Sequence, residues 1–241
     1  MNIMAFLGIL LLTILPGHIL LDTNSNRPES NFPDLFEQDT LKEYQSLYSG
    51  KVWKNLYRRI NGDQFLFTNY FLDGTVTANG RTYKNLKIKY DIYSDEIVIP
   101  VDLEEIVQVN KEIIDSFSVI YEDRVYRFEK IDADSLKKIN DFNGYFRVLY
   151  KEKSALYLKY RKQISPNITD KSDGDFIETD KVWLKKDNII YPVMSENDLL
   201  SALKIDKVTL KNYLRSNKLK YSKRNPESLI PIIRYYDSIS Q

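Results

Sequence analysis

The sequence predicts an α+β fold in which an antiparallel β meander, open or partly closed, is followed by a small C-terminal helical region. Three observations predict it. Short apolar, β-branched or aromatic segments recur through residues 64–193, and no gap between them holds a long helical pattern. The chain contains 18 tyrosines and 11 phenylalanines, which favour strands. After residue 193 the apolar residues recur at helical spacing instead.

The composition excludes several classes of function. The 241 residues are 43% hydrophobic and 29% charged, so the chain can bury a core and is not a disordered tail. Lys and Arg number 35 against 34 Asp and Glu, which argues against nucleic acid as a partner. Cysteine is absent, and the single histidine, His18, lies in an apolar N-terminal segment. The chain therefore has no disulfide, thiolate nucleophile or cysteine zinc site, and without that segment it has no imidazole. We expect no metal and no cofactor, and we assign no catalytic residue.

Residues 1–21 are predicted to be a signal peptide. Phe6 to Leu15 is almost continuously apolar, Pro16-Gly17 breaks the run, and the chain turns polar at Asp22. A short apolar run that ends at a breaker is typical of a secretory signal and predicts export to the periplasm. An uncleaved anchor is the alternative, and it is disfavoured because a membrane span usually needs about 20 unbroken apolar residues.

Residues 22–63 are predicted to be a polar leader followed by an amphipathic helix. The leader, residues 22–33, is polar and rich in proline and asparagine. Residues 34–49 place leucines and tyrosines at helical spacing and end at Gly50. This segment therefore predicts one short helix ahead of the strands.

Residues 64–193 are predicted to form the antiparallel β domain. Residues 86–92 alternate between apolar and polar side chains, the period of a half-buried strand with Asp91 on its polar side. Asp73-Gly74 and Asn79-Gly80 are typical of tight turns between strands. Further strand-like segments are residues 97–101, 106–109, 117–121, 124–128, 145–150 and 155–160.

A polar stretch interrupts the predicted β domain at residues 164–180. It contains Pro166, Gly174 and four aspartates, a composition that predicts a loop. Residues 182–184 and 189–191 are apolar and flank a polar turn. They predict one further hairpin at the end of the domain.

Residues 194–241 are predicted to form the C-terminal helical region. Ser195 with Asp198 three residues later resembles a capping box that opens a first helix. Asp206 can cap a second helix. A third helix is expected near Ser228, with Pro231 in its first turn, where proline is tolerated.

These predicted helices are each too short to persist alone in water, so we expect them to dock. The nearest large apolar side chains in the sequence are Trp183 and Tyr191 of the preceding hairpin. The segment Leu199 to Leu219 also fits a helix-turn-helix, in a region with nine Lys or Arg and five Asp or Glu. DNA binding through this motif is an alternative only if the N-terminal segment is not a signal.

Several segments carry a family resemblance. The most specific block runs from Gly74 to Leu86 and from Lys89 to Glu96. Shorter blocks are Gly144–Leu149, Ala155–Tyr160, Lys211–Lys220 and Tyr235–Ser238. The chain thereby resembles a family of uncharacterised exported proteins of the Bacteroidetes. The resemblance implies residence in the periplasm or at the outer membrane, and it supplies no activity and no catalytic residue.

A glycosylation site is predicted in the segment that follows the leader. Asp39-Thr40-Leu41 resembles the O-glycosylation acceptor pattern of Bacteroidetes envelope proteins. Of three such triplets in the chain, this one lies closest to the flexible leader. Thr40 is therefore the predicted acceptor.

One cluster combines carboxylates with aromatic rings more densely than any other part of the sequence. Its members are Tyr90, Asp91, Tyr93, Asp95 and Glu96. Paired carboxylates and stacking rings suit a glycoside hydrolase or a sugar-binding cleft. The favoured interpretation is a solvated turn whose aspartate caps backbone N–H groups.

A second acidic cluster, Asp170, Asp173 and Asp175 around Gly174, resembles a calcium loop. The spacing fails the EF-hand pattern, because aligning Gly174 with the invariant glycine of the loop places a lysine at position 3. A solvated loop without metal is predicted.

Together these observations predict a non-catalytic exported envelope protein that acts through protein–protein contacts in the periplasm or at the outer membrane. The expected partners are envelope proteins, including an outer-membrane complex, and not nucleic acid. Membrane association is expected only through partners or an uncleaved N-terminal segment. The first alternative is a carbohydrate-binding or carbohydrate-active protein that uses residues 90–96, and the second is the DNA-binding protein.

Overall fold

The computed structural model describes residues 44–102, 105–132, 142–166, 172–222 and 224–240. Within these ranges an 11-stranded antiparallel sheet is accompanied by a three-stranded sheet and by helices near the C-terminus. The large sheet is open, so the predicted α+β class is confirmed. The predicted signal peptide, Thr40 and most of the predicted helix at 34–49 lie outside the described residues.

The strands follow one another along the chain with short connections. The first six are β1 (Lys51–Val52), β2 (Ile60–Asn61), β3 (Leu72–Ala78), β4 (Arg81–Asp91), β5 (Glu96–Pro100) and β6 (Ile106–Gln108). The remaining eight are β7 (Ile114–Tyr121), β8 (Arg124–Ile131), β9 (Gly144–Lys151), β10 (Ala155–Lys159), β11 (Lys162–Ser165), β12 (Gly174–Glu178), β13 (Lys181–Lys186) and β14 (Ile189–Pro192).

The large sheet has the order β1-β6-β5-β4-β3-β7-β8-β9-β10-β13-β14. Hairpins carry the chain outward from β3 to β6, and a 3-10 helix at Lys111–Ile113 then leads into β7 on the other side of β3. From β7 to β10 consecutive strands are neighbours again. The meander therefore consists of two runs that meet at the β3–β7 pair.

The two predicted tight turns have different outcomes. Asn79 and Gly80 connect β3 to β4 with positive φ angles of 49° and 75°, as a two-residue hairpin turn requires. Asp73-Gly74 was predicted wrongly as a turn, since it lies inside β3. A Cβ at Gly74 would lie 2.2 Å from the carbonyl oxygen of Ser118 on β7, so the glycine permits close strand approach rather than a turn.

The predicted loop at residues 164–180 is also partly wrong. β11 pairs antiparallel with β12, with Ile164 opposite Phe176, and β12 pairs parallel with β2. Only a few apolar residues mark these strands among polar neighbours, so the local pattern does not predict them. Residues 167–171 lie outside the described ranges.

The main core lies on one face of the first strands of the large sheet. Aromatic rings dominate its centre: Phe117 and Phe128 stack with their centroids 4.5 Å apart, and Tyr145 meets Phe117 edge-on at 5.1 Å. Such ring pairs add to the stabilisation from area burial. The many aromatic residues of the sequence thus stabilise the sheet by packing between strands.

The C-terminal helices are α1 (Glu196–Leu203), α2 (Lys207–Ser216) and α3 (Ile230–Ile239), the last preceded by a 3-10 helix at Pro226–Leu229. The Ser195 hydroxyl accepts from the Asp198 N–H at 3.3 Å, and the Asp198 carboxylate accepts from the Met194 N–H at 2.9 Å. Asp206 accepts from two N–H groups at the start of α2, as predicted. Pro231 lies in the first turn of α3.

The three helices dock on the large sheet through a second apolar core. Buried side chains from all three helices pack against Tyr150, Leu156 and Leu184 of the sheet. Tyr191 contributes to this core as predicted, whereas Trp183 lies on the opposite face with Phe142 and Phe146. Successive residues of a strand point to opposite faces, so Leu184 rather than Trp183 meets the helices. The helical residues buried in this core are Leu199, Ala202, Leu203, Leu210, Leu229, Ile232 and Ile233.

A buried carboxylate also ties α3 to the sheet. Asp237 accepts from the Ser154 hydroxyl at 2.7 Å, the Ser154 N–H at 2.9 Å and the Tyr150 hydroxyl at 3.1 Å. These hydrogen bonds join the last helix to the turn between β9 and β10. The position of α3 is therefore specified by polar contacts as well as by apolar packing.

We predict that Asp237→Asn lowers the free energy of unfolding by about 2 kcal/mol, because hydrogen bonds to a charged group are the stronger ones. The measurement is urea denaturation of the purified protein. Asp73→Asn is the control, since Asp73 pairs with Lys87 near the surface and such pairs contribute about 0–1 kcal/mol. Equal effects of the two substitutions would contradict the prediction.

Candidate functional site

The predicted carboxylate–tyrosine cluster lies at the turn between β4 and β5. Tyr90 and Asp91 end β4, and Glu96 begins β5. Asp95 has a φ angle of 59°, a left-handed conformation that aspartate tolerates better than most residues. The structure brings the five residues to one turn but gives them different surroundings.

Asp95 is the centre of a largely buried ion-pair network. Its Oδ2 atom accepts from Lys111 Nζ at 2.6 Å and from Lys159 Nζ at 2.8 Å. Its Oδ1 atom accepts from the Tyr90 hydroxyl at 2.5 Å, and the carboxylate also faces the Tyr145 N–H at 3.3 Å. The network joins β4, the 3-10 helix, β9 and β10, so Asp95 connects both runs of the large sheet.

Gly144 has no side chain and therefore leaves space for this network. A Cβ there would lie 1.8 Å from Asp95 Oδ2 and 2.6 Å from Lys159 Nζ, and the φ angle is 96°. Only glycine meets both conditions. The start of β9 is thus shaped around the carboxylate of Asp95.

The network keeps Asp95 ionised. Burial raises the pKa of Asp95, but the charges and hydrogen bonds of Lys159 and Lys111 outweigh burial, so the pKa lies below its usual value. Burial lowers the pKa of Lys159, whose side chain is 7% exposed, and Asp95 opposes that shift. Asp95 and Lys159 therefore stabilise each other's charged forms, because an unpaired charge in a largely buried site is costly.

Asp91 caps the turn, as the favoured interpretation predicted, but it is buried rather than solvated. Its carboxylate accepts from the N–H groups of Tyr93 and Ser94, both at 2.9 Å. Phe65 forms an isolated bridge opposite Asp91 and covers the end of β4. Placing Asp91 on a solvent-facing side of the strand was therefore wrong. Burial raises the pKa of Asp91.

Tyr93 lies at the surface with its ring 37% exposed. It meets Tyr57 edge-on at 4.9 Å and Phe176 at 5.5 Å, and Tyr57 meets Phe176 at 5.8 Å. We call these three residues the aromatic triad. Its members come from a loop, the β4–β5 turn and the small sheet.

Glu96 lines a cleft of about 680 Å³, which we call the polar cleft. The cleft lies between β1, β5, the 3-10 helix and the end of β8. Its charged wall residues are Lys51, Lys111, Lys130, Glu96, Glu112 and Asp132. Lysines and carboxylates are thus balanced around it.

The electrostatics of the polar cleft follow from partial burial. Burial and the neighbouring Asp91 raise the pKa of Glu96, and Lys111 opposes the shift. Lys130 donates to two backbone carbonyls, those of Lys111 at 3.1 Å and Glu112 at 3.0 Å. These contacts use two of the three N–H donors of the Lys130 ammonium.

A buried hydroxyl lies next to the polar cleft. Tyr145 pairs with Lys130 across β8 and β9, so the two side chains share one face of the sheet. Within the described ranges the Tyr145 hydroxyl has no hydrogen-bond partner. Burial and the charges of Asp95, Glu96 and Asp132 raise its pKa, which keeps the phenol protonated and able to donate.

The cluster therefore separates into structural and surface members. Asp91 accepts from backbone N–H groups, and Asp95 pairs with lysines. Tyr93 reaches the surface at the aromatic triad, and Glu96 reaches it at the polar cleft. The cleft offers ammonium donors together with carboxylate acceptors. This arrangement suits non-covalent binding of a polar partner.

The aspartates of the predicted loop take part in contacts with the segment before β3. Asp173 pairs with Arg59 at 2.9 Å, and Asp175 accepts from Asn61 at 2.8 Å. Asp170 lies outside the described residues. Among the residues that are described, no group of three His, Cys, Asp or Glu side chains could hold a metal ion.

We predict that the thermal unfolding of this protein does not depend on a metal ion. Asp173 and Asp175 already have protein partners, so removing a cation should leave their contacts unchanged. Melting curves with and without EDTA should coincide. A fall of several degrees on adding the chelator would show that a structural ion binds the chain.

Sequence reasoning missed the partners that complete the site. Lys111 and Lys159 contact Asp95 from 16 and 64 residues away, and Tyr57 and Phe176 meet Tyr93 from distant segments. Nothing in the local pattern marks these residues. The one available signal was the glycine at position 144, which precedes a strand without an obvious turn.

Comparison with protein-family models, curated proteins and solved structures finds no match for the chain. The resemblance to exported Bacteroidetes proteins therefore stays a prediction. In the part of the chain that the structure describes, no helix has the length and apolar character that a membrane span requires.

Proposed function

We propose that this chain is a non-catalytic exported envelope protein that acts through protein–protein contacts in the periplasm or at the outer membrane. One observation carries the proposal. Val52, which is 58% exposed, directly follows Lys51 of the polar cleft in the edge strand β1, and Leu56, which is 78% exposed, lies four residues further along the chain. Exposed apolar side chains beside a charged cleft are typical of an interaction surface.

The backbone at this edge supports a protein partner. Among the described residues β1 is the last strand of the large sheet and pairs with β6 on one side, Lys51 opposite Gln108 and Val52 opposite Val107. An edge strand presents unpaired N–H and C=O groups to which an extended segment can add. The apolar side chains then supply affinity, and the balanced charges of the cleft supply specificity.

The contacts of the carboxylates at residues 90–96 support a non-catalytic role for that cluster. General acid–base work on a glycoside needs two carboxyl groups that face one substrate. Asp91 and Asp95 are instead held by backbone N–H groups and by lysines. Glu96 is the member of the cluster that lines the cleft.

Export rests on the apolar segment at Phe6 to Leu15 and its breaker. We predict cleavage between about residues 16 and 24, and therefore a mature protein without the apolar segment. Intact-mass measurement on protein purified from its native host tests this. A mass that includes Met1 to Gly17 would contradict it.

The interaction surface is tested by co-purification of the tagged protein from envelope extracts. We expect a defined partner that is lost in the double variant Val52→Ser and Leu56→Ser. The control is Ile189→Ser, because Ile189 is 53% exposed on β14 at the opposite edge of the sheet. Loss of the partner in both variants, or in neither, would contradict the proposed surface.

A second candidate function is carbohydrate binding, which the aromatic triad favours. Partly exposed rings with amide and carboxylate neighbours suit the apolar faces and hydroxyls of a sugar. Asn61 and Asp175 provide such polar groups near Phe176. Glycan-array and peptidoglycan pull-down assays separate the two functions: sugar binding that Tyr93→Ala abolishes would favour the second.

A further inference from the structure

Positive charge is concentrated in one segment of this nearly neutral protein. Residues 204–224 contain eight Lys or Arg residues and one acidic residue, Asp206, a local charge of +7. The whole chain has a formal charge of +1, so the remainder carries −6. Such a separation of charge orients a molecule towards an anionic partner.

Six cations of this segment lie on α2 or within four residues of it, and all are exposed. We call their surface the basic face, and its members are Lys204, Lys207, Lys211, Arg215, Lys218 and Lys220. In the described ranges none of them forms a salt bridge. Asp206 is occupied as the cap of α2.

Helical spacing separates this face from the core. Lys207, Lys211 and Arg215 recur every four residues and therefore share one side of α2. Leu210 and Leu214 occupy the adjacent side and pack into the second apolar core. The basic face is thus held rigidly on the sheet, and docking of the helix leaves its cations free of the core.

An apolar side chain accompanies the cations. Val208 is 67% exposed, and its position one turn before Lys211 and two turns before Arg215 places it on the same side of α2. An exposed valine side chain makes no favourable interaction with water. A surface that combines several lysines with an apolar side chain matches the boundary between lipid headgroups and acyl chains.

We propose that the basic face binds the surface of a membrane that contains anionic phospholipid. Clusters of four to eight Lys or Arg on or next to an amphipathic helix are typical of such binding, and each cation near the lipid surface adds about fivefold in affinity. Lysine predominates on the face, and its ammonium group is a point charge that suits headgroup phosphates. Base recognition in DNA relies instead on bidentate Arg, Asn or Gln contacts, and DNA phosphates offer no apolar region for Val208, so the exposed valine beside the cations favours lipid.

This inference is independent of the proposed protein contacts. The polar cleft and Val52 lie at the β1 edge of the large sheet, whereas the helices pack on β9, β10 and β13 towards its other edge. The basic face can therefore hold the protein at a lipid surface while the β1 edge contacts a protein partner. Failure of either proposal leaves the other intact.

The test is co-sedimentation of the full chain with vesicles of phosphatidylglycerol and phosphatidylcholine in equal parts. Vesicles of phosphatidylcholine alone control for lipid binding by the apolar N-terminal segment. The test variant is Lys207→Glu, Lys211→Glu and Arg215→Glu combined. The matched control is Lys84→Glu, Arg124→Glu and Arg127→Glu, which makes the same change of charge at exposed positions of β4 and β8.

We expect wild type and the control to bind the anionic vesicles and to be released at high salt. The test variant should bind at least about a hundredfold more weakly, from the loss of three such contacts. A neutral variant, Lys207→Gln, Lys211→Gln and Arg215→Gln, gives the same readout if charge reversal impairs folding. Equal binding by test and control variants would overturn the proposal. So would a wild type that ignores anionic vesicles and instead binds a DNA duplex through these residues.

Discussion

Removal of residues 194–241 is expected to produce a protein that aggregates or melts at a clearly lower temperature. The truncation uncovers Tyr150, Leu156 and Leu184, which the helices bury on one face of the sheet. Each leucine returned to water costs about 1.5–3 kcal/mol, and a typical domain is stable by only about 5–15 kcal/mol. Losing several such contacts therefore removes much of the stability. Thermal melts and light scattering measure the result.

Two single substitutions give the same information in a chain that still folds. Leu203→Ala removes a buried side chain of the helical core and should cost about 2–5 kcal/mol. Val208→Ala removes an exposed side chain of the next helix and should change stability by less than about 0.5 kcal/mol. A truncated protein that melts unchanged, while residues 194–241 alone bind DNA or another protein, would show that the helices are an independent module.

Asp95→Asn is expected to lower the free energy of unfolding by about 3–5 kcal/mol, because it leaves a buried lysine without its carboxylate. Lys159 would keep the carbonyl of Asn143, at 2.8 Å, and a neutral amide oxygen in place of the carboxylate, so its charge would be unpaired. Asparagine keeps the size of the side chain and tolerates the left-handed backbone. Chemical denaturation at neutral pH measures the loss.

A matched control isolates the ion pairs from the backbone conformation. Asp123 has the same φ angle as Asp95, 59°, but lies exposed in the β7–β8 turn. Asp123→Asn should therefore change stability by less than about 0.5 kcal/mol. Equal effects at both positions would mean that the network around Asp95 contributes nothing.

The effect of Asp95→Asn should also depend on pH. The folded-state pKa of Asp95 is below its usual value, so its carboxylate binds protons less readily in the folded protein than in the unfolded chain. Its contribution to stability is complete above the unfolded pKa, about 3.9. It is lost as the pH falls through the lower folded-state pKa. The difference between wild type and variant should therefore shrink in acid, and a constant difference would contradict this assignment.

The sequence by itself determined the class of the fold and most of its local elements. Asn79-Gly80 predicts a hairpin turn because both residues tolerate positive φ, and Asp206 predicts a helix start because its carboxylate reaches two N–H groups. The alternation of apolar and polar side chains at residues 86–92 predicts a strand because successive residues of a strand point to opposite faces. Each of these signals depends on residues within one or two turns of each other, so each is visible in the sequence.

Tertiary structure alone decided which side chains meet. Trp183 and Leu184 are adjacent and apolar. Only the placement of the helices determines that Leu184, and not Trp183, is covered by them. Asp91 resembles a surface residue by its pattern, and a distant segment buries it. Asp95 becomes an ion-pair centre because strand pairing brings Lys159, 64 residues away, to its carboxylate. Local pattern specifies backbone conformation, whereas burial and electrostatics depend on contacts between residues far apart in the chain.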